Sequence, residues 1–290
     1  MPKRFYHIGL SNQKSKQLLG TIFSMSKFYQ HLGNYKPLSI IAGPCVYEDY
    51  KLAKHIASEL AETCDKYGVN FCFKMSYDKA NRTSHSGYRG KGLDAAMEAF
   101  MHLQAELNIE ILPDVHDCWQ AEVINADILQ IPAFLCRQTD LLEAAAKTGK
   151  PVNVKKGQFL SPWEMQKVVD KVVHFGNNRV IQTERGTTFG YNNLVVDMRA
   201  LEIMKYDGDP VVIDCTHAVQ HPGGSGDRSG GDSSFAPTIA KSAVANCIAG
   251  VFMEVHPDPM SSPSDGPNMI RLDTFEDLLQ TLLRIDEAVK

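Results

Sequence analysis

What the chain lacks narrows it first. Its seven cysteines, at positions 45, 64, 72, 118, 136, 215 and 247, form no Cys-x-x-Cys pair and are odd in number. In a chain of 290 residues that argues against a disulfide framework and for reduced thiols in a cytoplasmic setting. Most of them are expected to behave as small buried apolar residues. No apolar run approaches the roughly 20 residues a membrane span needs. Lys3, Arg4, Lys14 and Lys16 are followed by no long apolar segment or small-residue cleavage site, which argues against a secretory signal. A basic excess is missing as well. With 30 Lys and Arg against 34 Asp and Glu, the net charge is −4, and the chain has no electrostatic footprint for nucleic acid. There is no Walker A sequence. The glycines of His221-Pro-Gly-Gly-Ser-Gly-Asp-Arg-Ser-Gly-Gly231 do not form the strand–GxGxxG–helix unit of a dinucleotide site.

What is present is the composition of a globular protein, 43% hydrophobic and 22% charged. Barrels of about 250 residues occur as single domains, so one core suffices for this length. Residues 1–36 read as an extension of uncertain structure and 37–290 as the folded unit. From residue 38 onward, short β-branched runs alternate with longer amphipathic segments. The strand candidates are 38–42, 69–73, 109–113, 128–131, 151–154, 180–182, 211–213 and 250–253. The helix candidates are 49–66, 93–107, 118–124, 139–148, 161–174, 193–204, 236–248 and 272–288. Eight β/α pairs with no linker predict an α/β fold, a single (β/α)8 barrel of the TIM type; an open doubly wound sheet is the alternative.

Nearly every concentration of polar, charged and glycine residues follows a strand candidate. In a barrel all such connections gather on one face, where active sites sit. The richest is Lys74-Met-Ser-Tyr-Asp-Lys-Ala-Asn-Arg-Thr-Ser-His-Ser-Gly-Tyr-Arg-Gly90, which offers many donors for an anionic, hydroxyl-rich ligand. Lys74, Lys79, Arg82, Arg137, Lys155 and Arg185 come from four connections. Together they would make a positive well suited to two phosphates, or to a phosphate and a carboxylate. The competing reading pairs several of them with Asp78, Asp114, Asp140 or Glu184. A second set, Cys45, His217, Glu254 and Asp265, lies on or near the ends of neighbouring strands and suits a divalent metal ion such as Zn, Fe or Mn. His116 and His256 rival it as ligands or acid/base groups. The glycine-rich run 221–234 reads as a linker or as a lid over the active face.

Taken together these motifs resemble one family. From about 38 to 289 the chain is similar to 3-deoxy-D-manno-octulosonate 8-phosphate synthase, in its metal-dependent branch. The matching stretches are IAGPC (41–45), FKxSxDKANR (73–82), YRGxGL (88–93), DVH (114–116) and QIPAFLCRQTDL (130–141). VNVKKGQF (152–159), ERGTTFGYNNLVVDMR (184–199), DCTHAVQ (214–220), GVFMEVHPDP (250–259) and SDGPNM (264–269) complete them. The resemblance implies condensation of phosphoenolpyruvate with D-arabinose 5-phosphate to a lipopolysaccharide sugar precursor. It implies a phosphoenolpyruvate site of Lys74, Lys79, Gln130, Ala133, Lys155 and Arg185, and a sugar-phosphate site of Asn81, Arg82 and Thr83. It further implies metal ligands Cys45, His217, Glu254 and Asp265, catalytic roles for Lys74, Lys79, Lys155, Arg185 and His217, and a homotetramer. Members commonly carry serine where Thr83 and Gly87 stand here.

Two other readings compete. The sister heptulosonate-phosphate synthase, which uses erythrose 4-phosphate, commonly has Lys-Pro-Arg-Thr where this chain has Lys-Ala-Asn-Arg-Thr. A non-catalytic barrel that binds phosphorylated sugars would not need every expected ligand and lysine.

Overall fold

The computed structural model describes residues 26–82, 84–223 and 230–290. The β-branched runs form eight parallel strands: β1 Ser39–Gly43, β2 Asn70–Lys74, β3 Glu110–Leu112, β4 Leu129–Ile131, β5 Val152–Lys155, β6 Val180–Glu184, β7 Val211–Asp214 and β8 Gly250–His256. Their order is β3-β2-β1-β8-β7-β6-β5-β4, with the short Ile270–Arg271 added to β8. A parallel bridge between Asp114 and Gln130 joins the two ends. There Val115 N and Gln130 N donate to Gln130 O and Pro113 O, each at 2.9 Å. The ring of eight strands is therefore closed, as the sequence predicts.

Helices α1 Lys27–His31, α2 Tyr50–Lys66, α3 Leu93–Leu107, α4 Cys118–Val123, α5 Thr139–Lys147, α6 Pro162–His174, α7 Arg199–Met204, α8 Ala236–Val244 and α9 Phe275–Val289 accompany the strands. Local chemistry starts them: Asp49 accepts from Leu52 N ahead of α2, and capping boxes Asp117/Gln120 and Ser161/Glu164 open α4 and α6. The helix expected over 193–204 is shorter than its sequence pattern. Gly190 and Asn192 hold positive φ, so the chain reverses and Leu194–Val195 pairs with Thr187–Thr188. Helix α7 then begins only where the Asp197 side chain accepts from Arg199 N.

Period-two alternation builds the site. Ile40, Phe73, Ile111, Val152, Val211 and Val251 join the core between strands and helices, while Ile41, Cys72, Leu112, Ile181, Val212 and Phe252 fill the lower barrel. Two residues further along four of these inward rows the side chains are charged: Lys74, Asp114, Asp214 and Glu254. Midway lies a buried amide ladder, in which Thr183 Oγ1 donates to Asn153 Oδ1 (2.6 Å) and Asn153 Nδ2 donates to Gln130 Oε1 (3.1 Å). The bottom is plugged by α1, whose Phe28, with Leu32 just beyond, packs on the lower layer. Asn34 ties this segment to the barrel by accepting from Val211 N and donating to Asp209 O. Close approach at the top needs glycine: a Cβ on Gly43 would meet Lys74 O at 2.0 Å.

Candidate active site

The strand ends and the connections after them enclose a cleft. Lys74, Lys79, Asn81, Arg82, Gln130, Ala133, Lys155, Arg185, His217 and Asp265 all line it, so the predicted residues converge. Cys45 and Glu254 lie fully buried at its floor. Thr83 falls outside the described residues, as do residues 224–229 of the expected lid; the flanks of that run pair as Gln220–His221 with Gly230–Gly231. Arg137 is exposed and does not line the cleft, because the turn after β4 carries it outward.

Each cation has a partner, though not those expected from sequence. Lys74 Nζ donates to Glu254 Oε1 at 2.5 Å and to Cys45 O at 3.1 Å. Lys155 Nζ donates to Asp214 Oδ2 at 2.6 Å. Lys79 donates to Ser76 Oγ and stands 3.8 Å from Glu254, and Arg82 stands 3.8 Å from Asp265. Asp78 pairs with Arg89 instead. Arg185 donates to His217 O and Gln220 Oε1, while its buried Nε has no hydrogen-bond partner in the protein. Ion pairs this deeply buried contribute little net stability, because desolvation offsets their attraction. A cleft with five cations on its walls is better explained by ligand charge than by folding.

Burial and neighbours set the protonation states. Burial alone would raise the Glu254 carboxyl, but Lys74, His217 and Lys79 hold it below the usual carboxylate range. Burial would likewise raise Asp214, yet His217 and Lys155 hold it far below that range. Burial pulls the Lys155 ammonium down to about 8 against the opposing Asp214. The Cys45 thiol is pushed up by burial and then by Glu254.

Cys45, Glu254 and Asp265 each offer a ligand atom, all within 4.8 Å of one another. His217 stands beside them: Nε2 is 3.7 Å from Glu254 Oε1, and Nδ1 is held by Asp214 Oδ2 at 2.7 Å. A carboxylate on Nδ1 leaves Nε2 free for a metal, the usual arrangement behind a histidine ligand. Buried Glu254 Oε2 has no hydrogen-bond partner, a free acceptor aimed at nothing in the protein. Thiol, imidazole and two carboxylates are a donor set that fits a divalent transition metal. Asp265 sits at φ +52, a conformation held by Gln220 Nε2 on its Oδ1 and by Ser264. The Ser264 hydroxyl accepts from Cys45 (3.0 Å) and Arg82 (2.8 Å) and donates to Asp265 (3.1 Å), which satisfies its full capacity.

Sequence reasoning named Asp114 only as a pairing partner and did not single out Ser76, Phe134, Asp214 or Gln220; all five also line the cleft. Inward parity was the available signal: Asp114 and Asp214 continue the rows of Leu112 and Val212. His116 lines the cleft too, 2.9 Å from Asp114, whereas His256 does not line it and stands 3.4 Å from Glu48. A Cβ on Gly87 would press the Arg82 stem at 3.0 Å.

Fold and site define a (β/α)8 barrel with a cationic cleft beside a thiol–carboxylate cluster. The chain belongs to the DAHP synthetase I family, which matches residues 21–290. It is similar to the 2-dehydro-3-deoxyphosphooctonate aldolase of Chelativorans sp. (strain BNC1), 56% identical over 259 residues that cover 89% of this chain and 94% of that protein. The protein of the same name from Rhodopseudomonas palustris (strain ATCC BAA-98 / CGA009) is 55% identical over 263 residues, covering 89% and 91%. That from Bartonella tribocorum (strain CIP 105476 / IBS 506) is 52% identical over 259 residues, covering 89% and 93%.

Proposed function

We propose that this chain joins phosphoenolpyruvate, D-arabinose 5-phosphate and water to give 3-deoxy-D-manno-octulosonate 8-phosphate and phosphate, a step toward lipopolysaccharide sugar. One observation carries the reading: relatives at 52–56% identity bear the name of this aldolase. The cations that line one cleft support it. Lys155 and Arg185, with Gln130 and the main chain at Ala133, hold phosphoenolpyruvate, and Lys74 and Lys79 reach it from the floor. Asn81 and Arg82, with Thr83, hold the sugar phosphate.

In the reaction C3 of phosphoenolpyruvate bonds to the aldehyde carbon of the sugar. Water adds at C2, and phosphate leaves by C–O cleavage. The two reactants are both anions and repel each other at the moment the bond forms. Lys74, Lys79, Arg82, Lys155 and Arg185 offset that repulsion in a site of low polarisability, where fixed charges act most strongly. The lysines serve as charges and not as Schiff-base nucleophiles, so borohydride should trap no lysine adduct. Cys45, His217, Glu254 and Asp265 would hold a divalent Zn, Fe or Mn ion, supplying Lewis acidity toward the aldehyde and water. Asp214 keeps the His217 ring turned toward that position.

Phosphate release measured with arabinose 5-phosphate against erythrose 4-phosphate tests the reading. Release is expected with the five-carbon sugar only and with both substrates present. Release with erythrose 4-phosphate assigns the sister reaction, and binding of either sugar phosphate without release assigns a binding protein. We also propose a cytoplasmic homotetramer. All seven cysteines are free and no described helix is long and apolar enough to cross a membrane. A solution mass of one or two subunits would contradict the tetramer.

A further inference from the structure

We propose that Lys156 is a positioning residue for the phosphoenolpyruvate lobe, acting through Glu184 on Arg185. This rests on the assignment of Arg185 to that substrate.

Lys155 and Lys156 are adjacent, so period-two alternation sends them to opposite sides of the chain. Lys155 enters the cleft. Lys156 is equally buried but does not line it, and neither does Glu184. The Lys156 ammonium donates to Thr187 Oγ1 at 2.9 Å and Leu160 O at 3.1 Å, and stands 3.5 Å from Glu184 Oε1. Glu184 Oε1 in turn accepts from the two backbone N–H groups that follow it, Arg185 at 2.8 Å and Gly186 at 2.6 Å. Gly186 has φ +89, a turn that side chains rarely adopt.

The geometry has a mechanical reading. The carboxylate of Glu184 folds over the end of β6 and clamps the peptide units on which Arg185 stands. Left unpaired, that carboxylate would draw water or rotate, since a buried charge without a partner is strongly disfavoured. Lys156 neutralises it and also pins Thr187, the first residue past the turn. Thr188 N donates to Gln158 O at 3.0 Å, so the connections after β5 and β6 are braced together. The two cations on the phosphoenolpyruvate side, Lys155 and Arg185, are thereby set in mutual register by one ion pair beneath them.

The test compares Lys156→Met, Lys156→Met/Glu184→Gln and Thr187→Val in the metal-loaded enzyme. Steady-state KM for each substrate, kcat and Tm are measured on all three. Lys156→Met is expected to raise the phosphoenolpyruvate KM by roughly tenfold to hundredfold, the penalty of a misplaced binding group. The sugar-phosphate KM should stay within about twofold, because that lobe is carried by the connection after β2. In the double variant the glutamine oxygen still accepts from both N–H groups with no charge to neutralise, so the phosphoenolpyruvate KM should return toward the wild-type value. Thr187 is exposed, so its variant folds whatever befalls Lys156→Met. It should raise the phosphoenolpyruvate KM alone by a few-fold, with a fall in Tm of at most a few degrees.

An unchanged phosphoenolpyruvate KM in folded Lys156→Met overturns the proposal. So does an equal rise of both KM values, or an unchanged value in Thr187→Val when Lys156→Met does not fold. Direct binding of phosphoenolpyruvate to Arg185→Ala separates the two levels. Wild-type affinity there removes the substrate assignment itself, whereas lost affinity there with unaltered Lys156 and Thr187 variants removes only the role of Lys156.

Discussion

At the inner end of β5 the Lys155 ammonium has lost its water, and burial draws it down to about 8 although Asp214 lies 2.6 Å away and opposes the shift. In the unfolded chain the same group titrates near 10.4, so between about 8 and that value the unfolded state binds the extra proton. Stability from this group therefore rises with pH across the window. Anion binding runs the other way, because the free enzyme loses a positive charge. Affinity of the free enzyme for phosphoenolpyruvate should fall by up to about tenfold per pH unit above pH 8. Arginine at this position stays charged throughout. Calorimetric titration at a series of pH values checks both proteins. A flat wild-type profile from pH 7 to 9.5, or a decline that persists in Lys155→Arg, would mean that Lys155 does not hold the ligand. At the same scale, the resemblance pointed to Lys155 while nothing in the sequence pointed to its partner. Asp214 was legible only as one of several acids after a strand.

The short helix α1 shows what an element does when its sequence signal is weak. Lys27–His31 spans barely a turn and a half, too short to be stable alone, yet Phe28 is almost fully buried against Ile41, Leu112, Ile128, Ile181, Val212 and Phe252. Its stability comes from sealing the lower barrel, and Glu110 holds its first turn by accepting from Ser26 Oγ and Lys27 N. Phe28→Ala should lower unfolding free energy by about 3–5 kcal/mol, the range for emptying a packed aromatic site. The KM values should not move, since Phe28 and the cleft lie at opposite ends of the barrel. A loss under about 1 kcal/mol in denaturant unfolding would show that the plug is not part of the cooperative core. No periodicity could announce this helix, because its five residues are fewer than two turns.

Across the whole molecule, Cys45 follows β1, Glu254 lies in β8 and Asp265 lies in the connection beyond it, so the cluster joins segments more than two hundred residues apart. A metal bound there would link them, and any ligand that prefers the folded state stabilises it by mass action. At a metal concentration of 100 times Kd the gain is about 2.7 kcal/mol, which should raise Tm by several degrees. Scanning calorimetry of chelator-treated protein with and without added Zn or Mn measures the shift, and Cys45→Ala should abolish it. Equal shifts in wild type and Cys45→Ala would place the metal elsewhere.

While the sugar preference proposed for Lys79-Ala-Asn-Arg82 rests on the resemblance, the amino-acid sequence by itself determined the alternation of strands and helices and the gathering of chemical residues after strands. These are local patterns, readable because strand parity and helical period repeat within a few residues. The place where the ring closes, at Asp114 and Gln130, the partners of each cation and the burial of α1 belong to tertiary structure alone. So do the separate fates of Lys155 and Lys156, identical in sequence and opposite in place. Pairing depends on which of several carboxylates the closed barrel brings within reach, and burial on what packs above it. Neither is a property of any stretch of chain taken alone.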